Sequence, residues 1–273
     1  MAIDWSAGRG RFTANGKSLE WGAFGPAPGD APVIVLLHEG LGSLALWRDF
    51  PQRLSDATGL PVFAYSRAGY GQSDADDLPR PLDYMTREAT QVLPDVLNAL
   101  GASHVILMGH SDGATIAAEY AGRVEDFRVR GLVLMAPHFF TEEMGLTEIA
   151  RAAQVFAETD MGARLGKYHR DPEATFRGWN DAWLAPGFKD WHVGDVIDYW
   201  RIPCLAIQGV QDQYGTAAHI HEIETRSYAP VDVLMLDDCR HSPHFDQPQA
   251  VLDGVAEFAA RLQRIEAAEV EGV

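Results

Sequence analysis

Gly109-His110-Ser111-Asp112-Gly113 follows the apolar run His104-Val105-Ile106-Leu107-Met108 and leads into Ala114-Thr115-Ile116-Ala117-Ala118-Glu119-Tyr120. The apolar run reads as a buried strand and the alanine-rich stretch as a helix, so the pentapeptide is the turn between them. Glycines on either side let the backbone turn more tightly than any side chain allows. They hold the serine at the apex, proud of the sheet and in a strained conformation. A serine hydroxyl is a poor nucleophile at neutral pH. The rest of the chain must therefore supply a base, a carboxylate to orient that base, and donors for an oxyanion.

Outward from this turn, strand and helix signals alternate. Phe12-Thr13-Ala14 and Leu19 to Phe24 form an opening hairpin around Asn15-Gly16, a strong two-residue turn signal. Val33-Ile34-Val35-Leu36-Leu37 is an uninterrupted apolar run, expected of a strand buried on both faces. Helical periodicity over Leu46–Ala57 precedes the strand Pro61–Tyr65, and Met85–Leu100 reads as a helix stopped by Gly101. After the serine turn come strands at Gly131–Ala136, Cys204–Gln208 and Val231–Leu236, a helix near Ala218–Ser227, and a closing helix from Gln249 to about Ala267 with a frayed tail. The alternation predicts an α/β fold: a mostly parallel eight-stranded sheet with helices on both faces.

One interval breaks the alternation. Residues 137–202 hold helical stretches at Leu146–Glu158, Pro172–Leu184 and Val193–Trp200, too many amphipathic turns for a plain connection. The interval is read as a helical lid or cap inserted over the carboxyl edge of the sheet, with 1–136 and 203–273 forming the core. Its aromatics, from Phe139 and Phe140 to Tyr199 and Trp200, are expected to pack it onto the body. Trp179 and Trp183 are candidates for lining a pocket.

Composition narrows the function. The 273-residue chain is 47% hydrophobic, and no window approaches the length of a membrane span. A formal charge of −17 argues against a nucleic-acid partner, which would need a basic stripe. The partner expected is a small-molecule substrate, with no nucleic acid and no membrane. Met1-Ala2-Ile3-Asp4-Trp5 has no basic or apolar leader character, so a cytoplasmic location is expected. Cys204 and Cys239 read as buried small hydrophobes rather than a disulfide framework. Whether the protein is a monomer or a homodimer stays open.

Two loops in the last third fit the missing chemistry, since open α/β sheets carry such groups at the carboxyl ends of strands. Gly209-Val210-Gln211-Asp212 places a carboxylate just past one strand, and Cys239-Arg240-His241-Ser242-Pro243-His244 places imidazoles past the next. The order is nucleophile, acid, base: Ser111, Asp212, His241. With His38-Glu39-Gly40 after the third strand, Arg67-Ala68-Gly69-Tyr70-Gly71-Gln72-Ser73 after the fourth, and the His241-to-Pro248 pattern, the chain resembles the α/β-hydrolase fold superfamily over nearly its whole length. That resemblance implies two backbone N–H donors to an oxyanion, from Asp112 and from Gly40. It also implies that a serine at the apex disfavours the haloalkane dehalogenase and epoxide hydrolase branches, which use a carboxylate nucleophile.

The chain departs from the pattern at three places. Glu39 stands where many relatives have glycine, and a carboxylate there opposes oxyanion charge unless it points away or is neutralised. Asp112 replaces a commoner amide or apolar residue; it is either held by a structural hydrogen bond or, with Glu39, aimed at a cationic or amine-bearing substrate, and its Ser-Asp-Gly turn resembles that of the valacyclovirase-like branch, which cleaves amino-acid esters. Ser66 replaces an aspartate, which reads as structural. Among the histidines, His241 is preferred over His244 because Asp246 and Pro248 then fall at the spacing typical of relatives. His38 and His110 are expected to serve packing and backbone hydrogen bonds, and His138 is a candidate for reaching the pocket. His219 and His221 cannot face one another on a helix, and His38-Glu39 lacks the second histidine of a zinc site. The constellation needs no metal or cofactor.

The expected function is hydrolysis of carboxylic esters through an acyl-enzyme. The substrates expected are small to medium and partly hydrophobic. Alternatives using the same triad are a carbon–carbon bond (diketone) hydrolase, a thioesterase and an amino-acid ester hydrolase. A different class is a non-catalytic ligand-binding protein on the same fold.

Overall fold

A computed structural model describes residues 3–271. The opening hairpin pairs β1 (Arg9–Ala14) with β2 (Lys17–Phe24), and Asn15 and Gly16 between them both adopt positive φ, the signature of a tight two-residue turn. The remaining strands are β3 (Val33–Leu37), β4 (Val62–Tyr65), β5 (Val105–His110), β6 (Val129–Met135), β7 (Cys204–Gly209) and β8 (Val231–Leu236). They form one eight-stranded sheet in the order β1-β2-β4-β3-β5-β6-β7-β8. The first two strands pair antiparallel, and β3 to β8 pair parallel.

Every residue of β3, β4, β5 and β7 is buried, which is why these strands read as continuous apolar runs rather than alternating ones. Their two faces feed two separate cores. Val33, Val35 and Leu37 join one with Leu107, Leu132 and Ile116; Ile34 and Leu36 join the other with Met108, Val133 and Val255. Helices α1 (Phe50–Thr58) and α10 (Pro248–Glu271) pack together on the second face. The first face is covered by α2 (Tyr84–Arg87), α3 (Leu93–Leu100) and α4 (Asp112–Arg123). The eight strands and their helix layers are those expected from the sequence.

Three helical expectations need correction. The Leu46–Ala57 helix is instead a 3₁₀ turn over Leu44–Trp47 followed by α1. Arg48 takes a positive φ between them, and Pro51 at the start of α1 suits a fresh N-terminus better than a helix interior. The Met85–Leu100 helix is interrupted by a π turn over Glu88–Val92, because Pro94 has no N–H to continue the ladder. Finally, α10 continues as helix past Ala267 to Glu271, where a frayed tail was expected; Gly272 and Val273 of that tail lie outside the described residues.

Between β6 and β7 the chain forms α5 (Glu143–Glu158), α6 (Met161–Leu165), α7 (Pro172–Trp183) and 3₁₀ segments over Pro186–Asp190 and Gly194–Tyr199. Phe139, Phe176, Phe188 and Trp200 are fully buried, whereas Tyr199 is largely exposed. Trp200 Nε1 donates to the Ala118 carbonyl of α4 at 3.0 Å. His169 ties the segment to two body loops: Gly71 N–H donates to its Nδ1 at 2.9 Å and its Nε2 donates to the Leu41 carbonyl at 3.1 Å. The remaining helices, α8 (Ala218–Arg226) and α9 (Pro243–Asp246), follow β7 and β8. Among the described residues, no helix is long and apolar enough to cross a membrane. Cys204 and Cys239 are both buried free thiols.

Candidate active site

Ser111 sits between the end of β5 and the first residue of α4 with φ 52° and ψ −119°. Such a conformation is costly for a residue bearing a Cβ and persists only where its surroundings enforce it. The flanking glycines show how it is enforced. A Cβ on Gly109 would collide with the Gly113 backbone, and a Cβ on Gly113 would collide with the Leu37 carbonyl at the end of β3. Close strand–helix contact thus forces the turn and projects the hydroxyl.

His241 follows β8, and its Nε2 lies 2.9 Å from Ser111 Oγ. Its Nδ1 lies 2.9 and 2.8 Å from the two carboxylate oxygens of Asp212. With Nδ1–H donated to a carboxylate, Nε2 is left as the acceptor for the serine proton. Asp212 follows β7 and has a side chain 1% exposed. It also accepts from Tyr214 N–H at 2.8 Å and from Gln208 Nε2 at 2.9 Å. Burial alone would raise its pKa, but His241 and the Tyr214 N–H outweigh burial and hold the carboxyl below its ordinary value. The three groups brought together are the three expected from the sequence.

His244 lies elsewhere. It is buried among Trp47, Phe50 and His110, and burial drives its pKa well down, so it packs as a neutral ring. Asp246 Oδ2 accepts from Arg240 N–H at 2.8 Å and so fastens the loop that presents His241. His110 Nε2 donates to the His241 carbonyl at 2.6 Å, a second fastening of the same loop. His38 donates through Nδ1 to the Glu39 carbonyl at 2.8 Å and accepts the Arg67 N–H on Nε2 at 3.1 Å. His219 is fully buried, with Nε2 3.0 Å from Glu142. No cluster of three or more metal-ligating side chains occurs among the described residues.

A cavity of about 110 Å³ opens onto Ser111 and His241. Glu39, Gly40, Asp112, His138, Trp179 and Trp183 all line it, so every residue singled out for the pocket reaches it. His138 is held there by Thr115, whose Oγ1 donates to its carbonyl at 2.7 Å, and burial keeps its imidazole pKa well below the usual value. Leu41, Ile149 and Tyr214 complete the lining and carried no signal in the sequence. Gln208 was also missed, although a polar residue ending the apolar run Cys204-Leu205-Ala206-Ile207 was a readable clue.

The two unusual carboxylates differ. Glu39 Oε2 faces His110 Nδ1 at 3.5 Å. Burial would raise the Glu39 pKa, but the His110 ring beside it holds the carboxyl below the ordinary range. The Glu39 carboxylate is thus turned toward the His110 ring. Asp112 is fully buried, and Tyr84 Oη donates to its Oδ2 at 2.5 Å while Trp183 Nε1 donates to Tyr84 Oη at 3.0 Å. Arg67 Nη2 stands 3.8 Å from the same oxygen. The other oxygen, Oδ1, is buried without a hydrogen-bond partner. One carboxylate oxygen of Asp112 is thus held by a structural hydrogen bond, and the other has no hydrogen-bond partner.

Asp112 is the first residue of α4, where N–H groups have no partner within the helix and the dipole favours negative charge. Gly40 approaches the cavity from the β3 loop, its Cα pressed against the Trp179 indole. These positions suit the two oxyanion donors expected.

Comparison with known proteins agrees with this architecture. Residues 34–253 match the profile described as the alpha/beta hydrolase family. Epoxide hydrolase 3 of Xenopus tropicalis is 34% identical over 269 residues, covering 83% of this chain and 71% of that protein. The 1-acylglycerol-3-phosphate O-acyltransferase ABHD5 of Sus scrofa is 30% identical over 137 residues, which is 50% of this chain but only 38% of that protein. The chain therefore spans well under half the length of that relative. Among solved structures, the enol-lactonase from Burkholderia xenovorans LB400 superposes with a TM-score of 0.71 at 20% identity, covering 92% of this chain and all of that one. By the profile match over residues 34–253 and the likeness over 83% of its length to a 34% identical relative, the chain belongs to the alpha/beta hydrolase family.

Proposed function

We propose that this protein is a serine hydrolase that cleaves carboxylic esters through an acyl-enzyme. The observation that carries the reading is the unbroken relay from Ser111 Oγ through His241 to Asp212, with contacts of 2.8 to 2.9 Å. Ser111 attacks the ester carbonyl as His241 takes its proton. The tetrahedral oxyanion is received by the N–H groups of Asp112 and Gly40, each worth roughly 3 kcal/mol. His241 then protonates the leaving alcohol, and a water activated by the same imidazole releases the acid. A serine nucleophile supports this reading over epoxide opening, despite the likeness to an epoxide hydrolase.

In this reading residues 137–202 act as the cap, with Ile149, Trp179 and Trp183 closing the acyl pocket. A cavity of about 110 Å³ is small beside the roughly 300–1,000 Å³ of typical ligand pockets, and favours short acyl groups. The test is a series of p-nitrophenyl esters of increasing chain length, with thioesters and a vinylogous diketone in parallel. Highest kcat/KM on short esters, abolished in Ser111→Ala, supports the reading; preference for the thioester or the diketone replaces it by one of those reactions.

A second reading concerns the substrate. The buried, unpartnered Oδ1 of Asp112, a residue that lines the cavity, favours a substrate that donates a hydrogen bond next to the carbonyl, either an ammonium or a hydroxyl. Matched esters with and without that donor should differ by at least ~10-fold in kcat/KM, as expected when a buried polar group is otherwise left unpaired. Equal efficiencies, unaltered in Asp112→Asn, would remove this reading and leave the first intact.

A further inference from the structure

Beneath the loop that carries Gly40 lies a charge the triad does not use. Arg67, two residues past β4, is 1% exposed. A guanidinium so deeply enclosed is expensive unless its donors are satisfied. Its Nη1 donates to the His38 carbonyl at 2.6 Å and its Nη2 to the Glu39 carbonyl at 3.1 Å. The same Nη2 faces Asp112 Oδ2 at 3.8 Å, and the Tyr70 ring lies against the guanidinium with its centre 4.8 Å away.

The Glu39 carbonyl matters because it shares a peptide group with the Gly40 N–H. That peptide is trans, so its C=O and N–H point in opposite directions in one plane. Holding the carbonyl toward the guanidinium aims the N–H away from it. It also polarises the amide, strengthening that N–H as a donor. Asp112, the residue with the other expected donor, is held by the same guanidinium through its side chain.

We propose that Arg67 is a positioning residue for the oxyanion site: together with His38 Nδ1–H at 2.8 Å and Gly42 N–H at 3.1 Å, which donate to the same oxygen, its buried guanidinium fixes the Glu39 carbonyl and so the direction of the Gly40 N–H, and it anchors Asp112 beside it. Arg67 touches neither substrate nor triad. The planar guanidinium serves the two adjacent carbonyls from two nitrogens held in a fixed fork, a geometry that the compact ammonium of lysine does not reproduce. The proposal rests on the serine esterase reading above.

The experiment compares wild type, Arg67→Met and Arg67→Lys with p-nitrophenyl butyrate and with a butyryl trifluoromethyl ketone, which forms a tetrahedral adduct on the serine. In both variants kcat should fall about 100-fold, as for loss of one oxyanion donor, while KM changes less than about 3-fold. Affinity for the ketone should fall by the same factor as kcat/KM. Arg67→Lys keeps bulk and charge, and carries the test if Arg67→Met does not fold. A folded Arg67→Lys with wild-type kcat overturns the proposal, as does a loss of kcat without a matching loss of ketone affinity. Wild-type protein that neither hydrolyses the ester nor binds the ketone contradicts the esterase reading itself.

Discussion

The loops carrying Ser111, Asp212 and His241 and the segment carrying Ile149, Trp179 and Trp183 face each other across one cavity, yet they are built in opposite ways. Ser111 and Asp212 follow buried parallel strands and His241 follows the partly exposed edge strand β8; Asp212 and His241 are fixed by hydrogen bonds from their neighbours, Gln208 and Tyr214 on Asp212 and His110 on the His241 carbonyl. The facing segment has no strand behind it. It is held by packing of aromatic rings and by a few ties such as His169 to Leu41 and Gly71. On the proposed reading the first region serves the chemistry and the second the selection of substrate. Changes in one should alter rate on every substrate; changes in the other should alter which substrate is preferred.

The largest effect expected is on the triad. Asp212→Asn should lower kcat by roughly 10³–10⁴-fold on all esters alike, because the imidazole loses the partner that sets its tautomer. Steady-state kinetics across the ester series checks this. Unequal losses across the series would blur the division of labour between the two regions.

Next comes the elbow scaffold. Gly113→Ala places a methyl against the Leu37 carbonyl, and backbone cannot move aside as a flexible side chain would. The expected cost is roughly 2–4 kcal/mol, a fall of about 5–15 °C in Tm. Thermal unfolding of the purified variant is the readout, and an unchanged Tm would mean that the strand–helix contact is looser than described.

Trp179→Ala tests the facing segment. Removing an indole that lies against Gly40 enlarges the cavity, so the ratio of kcat/KM for a long over a short ester should rise by about 10-fold. If all substrates instead lose activity equally, Trp179 serves the chemistry and the comparison fails at that residue.

The smallest effect separates pH from catalysis. Glu88, in the π turn, has a buried Oε2 without a partner, and burial raises its pKa from 4.5 to about 7. The folded state thus holds a proton that the unfolded chain releases near pH 4.5, and stability falls as pH rises from there through about 7. Glu88→Gln should be neutral at pH 4 and stabilising by roughly 1–3 kcal/mol at pH 8. Denaturant melts at the two pH values decide it; equal shifts at both would assign the effect to something other than ionisation.

The same contrast explains what could be read from the sequence. Ser111, Asp212 and His241 were legible because each stands just beyond an apolar run, where chain order and strand ends already imply convergence. The glycines of the elbow were legible for the same steric reason that now appears as Gly113 against Leu37. The helices of residues 137–202 were legible in number only in part, since α6 is a single short turn and Gly194–Tyr199 is 3₁₀. Which of their side chains face the cavity was legible only for Trp179 and Trp183, and not for Ile149. An aromatic stripe has the same spacing whether it packs inward or lines a pocket. The role of Gln208 was legible but unused, and the Arg67 contacts depend on carbonyl directions that no sequence pattern reports. The helix breaks at Arg48 and Glu88 follow from prolines whose effect on neighbouring turns depends on packing.

The measurement closest to the central claim is covalent labelling with a fluorophosphonate, followed by mass spectrometry of the peptide that spans Gly109 to Gly113. An activated serine should take up one phosphonyl group on Ser111, slowly in His241→Ala and not at all in Ser111→Ala. Folded wild-type protein that stays unlabelled, or that is labelled elsewhere, would contradict the assignment of Ser111 as the nucleophile.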